Sequence, residues 1–135
     1  MSRVDDKIES IVQLIEDLKI VKPMDFESYK NDLGKKLASE RAFEKIIESL
    51  NDLAILFIKE KRLPLPTDDE NAFEILANAK FISEDLSDRM RKAKGMRNIL
   101  AHQYEFLDDE IIFEAIDTEI VKDAEEFLNE IENKK

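Results

Sequence analysis

The sequence predicts an all-α protein, an up-and-down bundle of about five helices in a single domain covering residues 1–135. Apolar residues recur at helical spacing along most of the chain, and no segment alternates in the way a half-buried strand does. Two glycines and three prolines are too few for a β-sandwich or for long linkers. At 135 residues the chain is long enough to bury a core without disulfides or metal ions.

Two helices are predicted in the N-terminal half. The first carries a narrow apolar stripe and ends before Pro23. That stripe consists of Val4, Ile8, Ile11, Ile15 and Leu18. The second helix covers residues 25–60 with Asp25 as its N-cap; Gly34 is predicted to kink or split it, and Ser39 to cap the second piece. Its apolar face is formed by Ala42, Ile46, Leu50, Leu53, Ala54 and Phe57, widened by Ile47 and Ile58.

Three further helices follow a break at residues 63–66, where two prolines stop any helix. Thr67 and Glu70 form a predicted capping box in front of a short third helix. Ser83 is the expected cap of the fourth helix, and Asp108 that of the fifth. The inner face of the fifth helix consists of Phe113, Ile116, Ile120, Ala124, Phe127 and Ile131.

Composition excludes several kinds of functional site. The absence of cysteine excludes disulfides, thiolate zinc sites and cysteine nucleophiles. A single histidine excludes a metal site with two histidines from one chain, and no cofactor or metal is expected. The first residues lack the basic end and apolar run of a signal peptide, and no stretch has the apolar length of a membrane span. We therefore expect a cytoplasmic protein that does not bind membranes.

The apolar stripe of the fourth helix is interrupted at one position. It runs through Leu86, Met90, Ala93 and Leu100, and its period requires an apolar residue at position 97, where the sequence has Arg97. A charge on a packing face is costly unless it is paired or faces an interface or a cleft. Places where such local rules fail are candidate functional sites.

The only histidine of the chain, His102, follows Arg97 by five residues, with Asn98 and Tyr104 close by. On an ideal helix the Arg97 and His102 side chains point about 140° apart. They can converge if the helix ends near His102, or two chains can bring copies of them together. His102 alone could instead be a surface or capping residue, and Arg97 a salt-bridged residue at the edge of the core.

Residues 89–104 form a basic segment within an acidic chain. The whole chain has a net charge of -11, whereas this segment contains five basic residues and no acidic one. Those residues are Arg89, Arg91, Lys92, Lys94 and Arg97. Such a segment is a candidate anion-binding patch, and a merely solvated helix face is the alternative.

Residues 82–104 resemble the signature region of the HEPN superfamily, and within it that of the HepT toxin family. HEPN ribonucleases have an arginine followed, after four to six residues, by a histidine, and HepT proteins narrow this to Arg-x4-His-x-Tyr. Arg97, His102 and Tyr104 match the narrower motif, Asn98 follows the arginine as in many HEPN proteins, and Gly95 adds to the fit. The helix order agrees with the family over nearly the whole chain.

The resemblance implies a homodimer in which two motifs face each other across one cleft. It also implies metal-independent cleavage of RNA, with tRNA one candidate substrate, at a site containing Arg97, Asn98 and His102. A partner nucleotidyltransferase antitoxin of the MntA type would transfer AMP to Tyr104. Under this interpretation Arg89, Arg91, Lys92 and Lys94 contact the RNA. The acidity outside the motif is high for an enzyme that acts on RNA.

Elementary chemistry is consistent with this activity. Metal-free RNA cleavage uses the neighbouring 2′-OH as nucleophile, leaves a 2′,3′-cyclic phosphate, and needs a base, an acid and a cation. One histidine does not easily serve as both base and acid, whereas a two-fold dimer supplies two. Arg97 suits the phosphate because a guanidinium is always charged and fork-shaped. Asn98 would orient His102 or the phosphate. A structural hydrogen bond at the end of the helix explains an asparagine at this position nearly as well.

A function from a different class is compatible with the same residues. The chain could be a non-catalytic helical adaptor that binds a nucleotidyltransferase, with the motif retained only for docking or modification. In that case Tyr104 would be an amphipathic anchor at an interface. Toxicity that disappears in a His102→Ala variant would distinguish the ribonuclease from the adaptor.

Overall fold

A computed structural model of the chain describes residues 2–67, 71–102 and 108–135. Its elements are α1 (Arg3–Val21), α2 (Phe26–Asn31), α3 (Leu33–Glu60), α4 (Ala72–Asn78), α5 (Glu84–His102), α6 (Asp109–Glu114), a π-helical turn (Ala115–Glu119) and α7 (Ile120–Asn133). These described ranges contain no strand, so the all-α prediction is confirmed. None of their helices is both long and apolar enough to cross a membrane.

Three predicted N-caps are confirmed. In each, a side-chain oxygen accepts a hydrogen bond from a backbone N–H two or three residues further on: Asp25 from Ser28 at 2.8 Å, Ser83 from Leu86 at 3.0 Å, and Asp108 from Glu110 at 2.9 Å. Caps of this kind typically stabilise a helix by about 1 kcal/mol. The ends of three helices are therefore fixed by residues next to them in the sequence.

The long N-terminal stretch splits at Asp32, so the predicted division at Gly34 with Ser39 as cap is wrong. Asp32 has extended backbone angles, and its carboxylate accepts a hydrogen bond from the Lys35 N–H at 3.1 Å. Ser39 is buried inside α3, where its hydroxyl donates to the Lys36 carbonyl at 3.1 Å. This bond to the preceding turn satisfies a serine hydroxyl within a helix, so Ser39 need not end one.

The cap of α4 is Asn71, so the prediction of Thr67 in this role is also wrong. The Asn71 side chain accepts a hydrogen bond from the Phe73 N–H at 2.8 Å, and the helix begins one residue after Asn71. Glu70, the expected partner of Thr67, lies outside the described residues. The predicted break at residues 63–66 is confirmed, since no helix covers them.

Helix α3 is the central element of the bundle, and it contacts α1, α2, α4, α5, α7 and the π-helical turn. Eight of its apolar side chains are buried: Phe43, Ile46, Ile47, Leu50, Leu53, Ala54, Phe57 and Ile58. Burying a side chain of this size contributes about 1.5–3 kcal/mol. The predicted inner face of the last helix is buried as well, apart from the half-buried Phe113.

The π-helical turn joins α6 to α7 and is held from outside by Lys22, which follows α1. The Lys22 ammonium donates to the Asp117 carbonyl at 3.1 Å and pairs with the Asp117 carboxylate at the same distance. A π turn places one extra residue in the helix, and such turns are frequent near functional sites. Sequence periodicity gave no indication of it, because the buried Ile116 inside the turn and the buried Ile120 just after it keep the four-residue spacing of an ordinary helix.

A buried polar cluster joins α2, α3 and α6. Tyr29 is completely buried, and its hydroxyl donates to the Glu40 carboxylate. Lys36 pairs with Glu40 at 3.1 Å and with Asp109 at 2.9 Å, and its ammonium lies 4.3 Å from the centre of the Tyr29 ring. Because Asp109 is the first residue of α6, the cluster fixes the chain just after the segment that follows His102.

Alkaline pH is expected to weaken the fold through this cluster. Burial and the hydrogen bond to Glu40 raise the pKa of Tyr29. Burial alone would lower the pKa of Lys36, but its bonds to Asp109 and Glu40 outweigh burial and raise it. Both pKa values are higher in the folded chain, so this stabilisation is complete below about pH 10 and is lost above it.

Urea unfolding at pH 8 and pH 11 measures this effect. The wild-type chain should lose more stability over the interval than Tyr29→Phe, which lacks the phenol that titrates. Equal losses in the two proteins would contradict the role assigned to the cluster.

Candidate functional site

The predicted site residues lie in the last two turns of α5. Arg97 is half-buried on the side facing α3, whereas Asn98 and His102 are exposed. Helix α5 extends to His102, so Arg97 and His102 point about 140° apart within one chain. Tyr104, the predicted site of modification, lies outside the described residues. One chain therefore presents its arginine and its histidine on different faces of the helix.

Arg97 is held by two side-chain oxygens. Its Nη2 donates to Glu48 Oε1 on α3 at 2.9 Å, and its Nη1 donates to Asn98 Oδ1 at 2.8 Å. The arginine side chain is 27 % exposed and that of Glu48 is 42 % exposed, so the pair lies at the edge of the core. The charge on the packing face is thus both paired and accessible, and Asn98 orients the arginine in the free chain.

The same edge contains a second polar contact, which fixes how α5 lies along α3. Lys94 donates to Asn51 Oδ1 at 3.2 Å, three residues before Arg97 on α5 and three residues after Glu48 on α3. The two helices therefore run antiparallel here. A small cavity of about 90 Å³ beside these contacts is lined by Ile47, Glu48, Asn51, Asp52, Lys94 and Arg97.

Arg89, one of the predicted RNA contacts, is surrounded by carboxylates of its own chain. It donates to Glu126 at 2.9 Å and to Asp85 at 3.0 Å, and it also donates to the largely buried Asp123. The hydrogen bond with Glu126 is the first cause that raises the pKa of Arg89. Arg89 consequently ties α5 to α7, and its contact with RNA stays a prediction.

The other basic residues of the segment are less restrained. Arg91 pairs with Glu74 at 3.1 Å and lies 3.5 Å from Asp88, yet 47 % of its side chain is exposed. Lys92 is exposed, and no carboxylate in the described ranges lies within ion-pair distance of it. These side chains are available to a polyanion, and their binding of RNA stays a prediction.

The sequence of this chain matches the family model described as Ribonuclease HepT-like over residues 7–131. The chain belongs to the HepT-like ribonuclease family. The resemblance predicted from Arg97, His102 and Tyr104 is thereby confirmed.

Two relatives and one solved structure illustrate the likeness of this HepT-like chain. It is 26% identical to the mRNA nuclease HepT of Shewanella oneidensis over 107 residues, 79% of this chain and 80% of the relative. It is 21% identical to the tRNA nuclease HepT of Aphanizomenon flos-aquae over 113 residues, 84% of this chain and 77% of the relative. The solved structure is of tri-AMPylated Shewanella oneidensis HEPN toxin in complex with MNT antitoxin. It superposes with a TM-score of 0.88 at 25% identity, covering 98% of this chain and 99% of that one.

Two features of this HepT-like chain were missed by sequence analysis. Glu48 lies 49 residues from Arg97, and the only signal was that an arginine on a packing face needs an anionic partner. A cavity of about 520 Å³ opens between α3, α5, the π-helical turn and α7, with Phe43, Lys92 and Met96 in its lining. Ala115 and Glu119 of the π-helical turn also line this cavity, and the turn has no signature in the periodicity.

Proposed function

We propose that this chain is a ribonuclease toxin of a toxin–antitoxin pair, which cuts RNA at a site built from two copies of the chain. Its relatives are named mRNA nuclease and tRNA nuclease, and the solved structure is of a HEPN toxin in complex with an antitoxin. The observation that carries the proposal is the arrangement at the end of α5, where an accessible Arg97 and an exposed His102 belong to a chain of the HepT-like family.

The proposed cleavage needs no metal ion. The imidazole of one His102 takes the proton of the 2′-OH, whose oxygen attacks the adjacent phosphorus. The 5′-oxygen leaves with a proton from the second His102, and the products are a 2′,3′-cyclic phosphate and a 5′-OH. Arg97 stabilises the charge that develops on the phosphate oxygens, and Asn98 holds the guanidinium in place.

The proposed homodimer forms through the exposed face of α5. Lys92, Gly95, Ile99 and His102 lie on that face at spacings of three and four residues. Ile99 is 40% exposed, and no part of the described chain outside its own helix lies within 4 Å of the position that a Cβ on Gly95 would take. A glycine inside a helix costs about 1 kcal/mol relative to alanine, and packing within the chain does not require it here.

Close approach of a second α5 accounts for Gly95 on this face. A two-fold axis near Ile99 would place the two His102 residues about 9 Å apart along the helix direction, since each residue rises about 1.5 Å. Two imidazoles at that separation can flank a single phosphodiester. Because Arg97 points about 140° away from His102, its guanidinium would reach that phosphate from the side of α5 that faces α3. The partner copy would thus contribute the second acid–base group of the site.

Leucine at Gly95 is expected to weaken the dimer while stabilising the isolated helix. The larger side chain should raise the dimer dissociation constant by about tenfold to hundredfold, as overpacking does. Gly34→Leu is the matched control, because Gly34 is also an exposed glycine within a helix. Sedimentation equilibrium measures both variants, and a dimer of unchanged affinity in Gly95→Leu would exclude this face.

The proposed regulation is AMP transfer to Tyr104 by a partner nucleotidyltransferase antitoxin of the MntA type. The chain has two tyrosines, and Tyr29 is completely buried with its hydroxyl bound to Glu40. A modifying enzyme cannot reach that hydroxyl without unfolding the cluster around it, which leaves Tyr104 as the acceptor. The tri-AMPylated state of the Shewanella oneidensis toxin supports the same chemistry, and suggests more than one AMP group.

The basic segment is proposed to guide RNA towards Arg97. Lys94 lies beside Arg97 in the same small cavity, while Arg91 and Lys92 extend from the exposed part of the helix. Arg89 contributes less, because its charge is already balanced by Asp85, Asp123 and Glu126. Binding should weaken with added salt, since phosphates release counterions, and the salt dependence should be shallow in a chain of net charge -11.

Expression with and without a nucleotidyltransferase antitoxin of the MntA type tests the function as a whole. Wild-type chain alone should arrest growth and degrade cellular RNA, and His102→Ala should do neither. Growth arrest that persists in His102→Ala with RNA intact would favour the helical adaptor.

A further inference from the structure

Glu48 forms an ion pair with the guanidinium of Arg97 when no RNA is bound. The contact is direct, at 2.9 Å between Arg97 Nη2 and Glu48 Oε1, and both side chains are partly open to solvent. The Glu48 carboxylate is therefore bound to the same guanidinium that is proposed to bind the phosphate of the substrate. Carboxylate and phosphate compete for the same kind of donor, because each accepts charge-assisted hydrogen bonds from an arginine fork.

We propose that Glu48 is a positioning residue for Arg97 that also competes with RNA for it. This inference rests on the proposed binding of the scissile phosphate by Arg97. Glu48 orients the guanidinium before RNA arrives, and it shares or releases one end of the fork when a phosphodiester binds. Its negative charge lowers the affinity for RNA, while its contact keeps the arginine in an orientation suited to catalysis.

Arg97 has enough N–H donors to bind Glu48 and a phosphate at the same time. Glu48 and Asn98 accept from Nη2 and Nη1, and a guanidinium has five N–H donors, so others are left for a phosphate. The partial exposure of both Glu48 and Arg97 allows the carboxylate to turn away from the arginine without opening the core.

The charges around the arginine are balanced in the free chain. Lys94 and Arg97 face Glu48 and Asp52 across the same small cavity, which leaves no net charge among these four side chains. Lys94 is already bound to Asn51, so it does not replace Glu48 as the partner that orients Arg97. Removing the charge of Glu48 would make the cavity cationic, and a phosphate would then meet less repulsion.

Three variants separate the two effects of Glu48. Glu48→Gln keeps an oxygen that accepts from Arg97 but removes the charge, and Glu48→Ala removes both. Asp52→Asn is the control for overall charge, because Asp52 lines the same cavity but pairs with Lys7, at 3.8 Å, and not with Arg97.

Binding is measured by fluorescence anisotropy with a 2′-O-methyl oligonucleotide, which has no 2′-OH to attack and is not cleaved. Cleavage of the matching RNA gives kcat and KM.

Glu48→Gln should bind the uncleavable oligonucleotide about threefold to tenfold more tightly, the change expected from one repulsive charge at a partly exposed site. Its kcat should stay within about threefold of wild type, because the amide oxygen still orients Arg97. Glu48→Ala should also bind more tightly, but its kcat should fall by at least about tenfold. Asp52→Asn removes an equal charge from the same cavity but leaves the contact between Glu48 and Arg97 intact, so it should tighten binding clearly less than Glu48→Gln does and leave kcat unchanged.

Two results would overturn the inference while the proposed function stands. Glu48→Gln binding no more tightly than Asp52→Asn would show that Glu48 does not compete with the phosphate. A kcat in Glu48→Gln as low as that in Glu48→Ala would make the carboxylate itself part of the chemistry. A wild-type chain that neither binds nor cleaves RNA would instead refute the proposed function. If Glu48→Ala does not fold, the glutamine variant decides the question.

Discussion

The single variants Arg97→Ala and His102→Ala should each cleave RNA about 100-fold more slowly than wild type, or slower still. A loss of this size is typical when an acid–base or charge-stabilising group is missing. Arg97 is expected to be needed because no other cation lies in its place between Glu48 and Asn98 in the described chain. His102 is expected to be needed because it is the only histidine of the chain. Arg97→Lys should recover little activity, since an ammonium does not reproduce the guanidinium fork.

Cleavage of end-labelled RNA in EDTA measures these rates, and analysis of the product ends identifies the cyclic phosphate. Arg3→Ala is a suitable control, because Arg3 is an exposed arginine at the start of α1. Full activity in either Arg97→Ala or His102→Ala would contradict the assignment of that residue. Complete loss of wild-type cleavage in EDTA would refute the metal-free mechanism.

The second large effect is expected at Tyr104. Co-expression with a nucleotidyltransferase antitoxin of the MntA type should add one or more AMP units to the chain, and Tyr104→Phe should abolish both the mass gain and the neutralisation of toxicity. In the transfer, the tyrosine oxygen bonds to the α-phosphorus of ATP and pyrophosphate leaves. The added phosphate would be attached two residues after His102. From there it can form an ion pair with Arg97 and repel an incoming RNA backbone.

Intact-mass analysis, followed by peptide mapping, locates the modification. Tyr29→Phe is the matched control and should be modified and neutralised like wild type, because its hydroxyl is buried against Glu40. AMP found on Tyr29 would overturn the assignment. Neutralisation that persists in Tyr104→Phe would show that the antitoxin acts by covering the toxin surface.

The sequence by itself determined the helices and the motif. Apolar spacing identified the long buried face of α3, and side chains next to the helix starts identified Asp25, Ser83 and Asp108 as caps. The interruption of the stripe at Arg97 predicts the candidate site, and that assignment stays a prediction. The predictions of the buried face and of the three caps succeeded because periodicity and capping depend on residues that lie within a few positions of one another.

Local rules failed where a second residue able to cap the helix lies within about two turns of the predicted one. Asp32 caps α3 in place of the predicted Ser39, and Asn71 caps α4 in place of the predicted Thr67. Side chains of this kind have similar capping strengths, so the packing of the following helix decides which one is used. Ser39 lies on the buried side of α3, and a helix that began there would lose the turn that carries Lys36.

Only the tertiary structure determined the partners of the charged residues. Arg97 meets Glu48 because α5 lies antiparallel along α3 in one register, and Arg89 meets Asp123 and Glu126 because α7 packs against α5. A shift of one residue between the helices would change both sets of partners without altering any helical period. Contacts between distant residues depend on that packing register, which short-range sequence patterns do not encode.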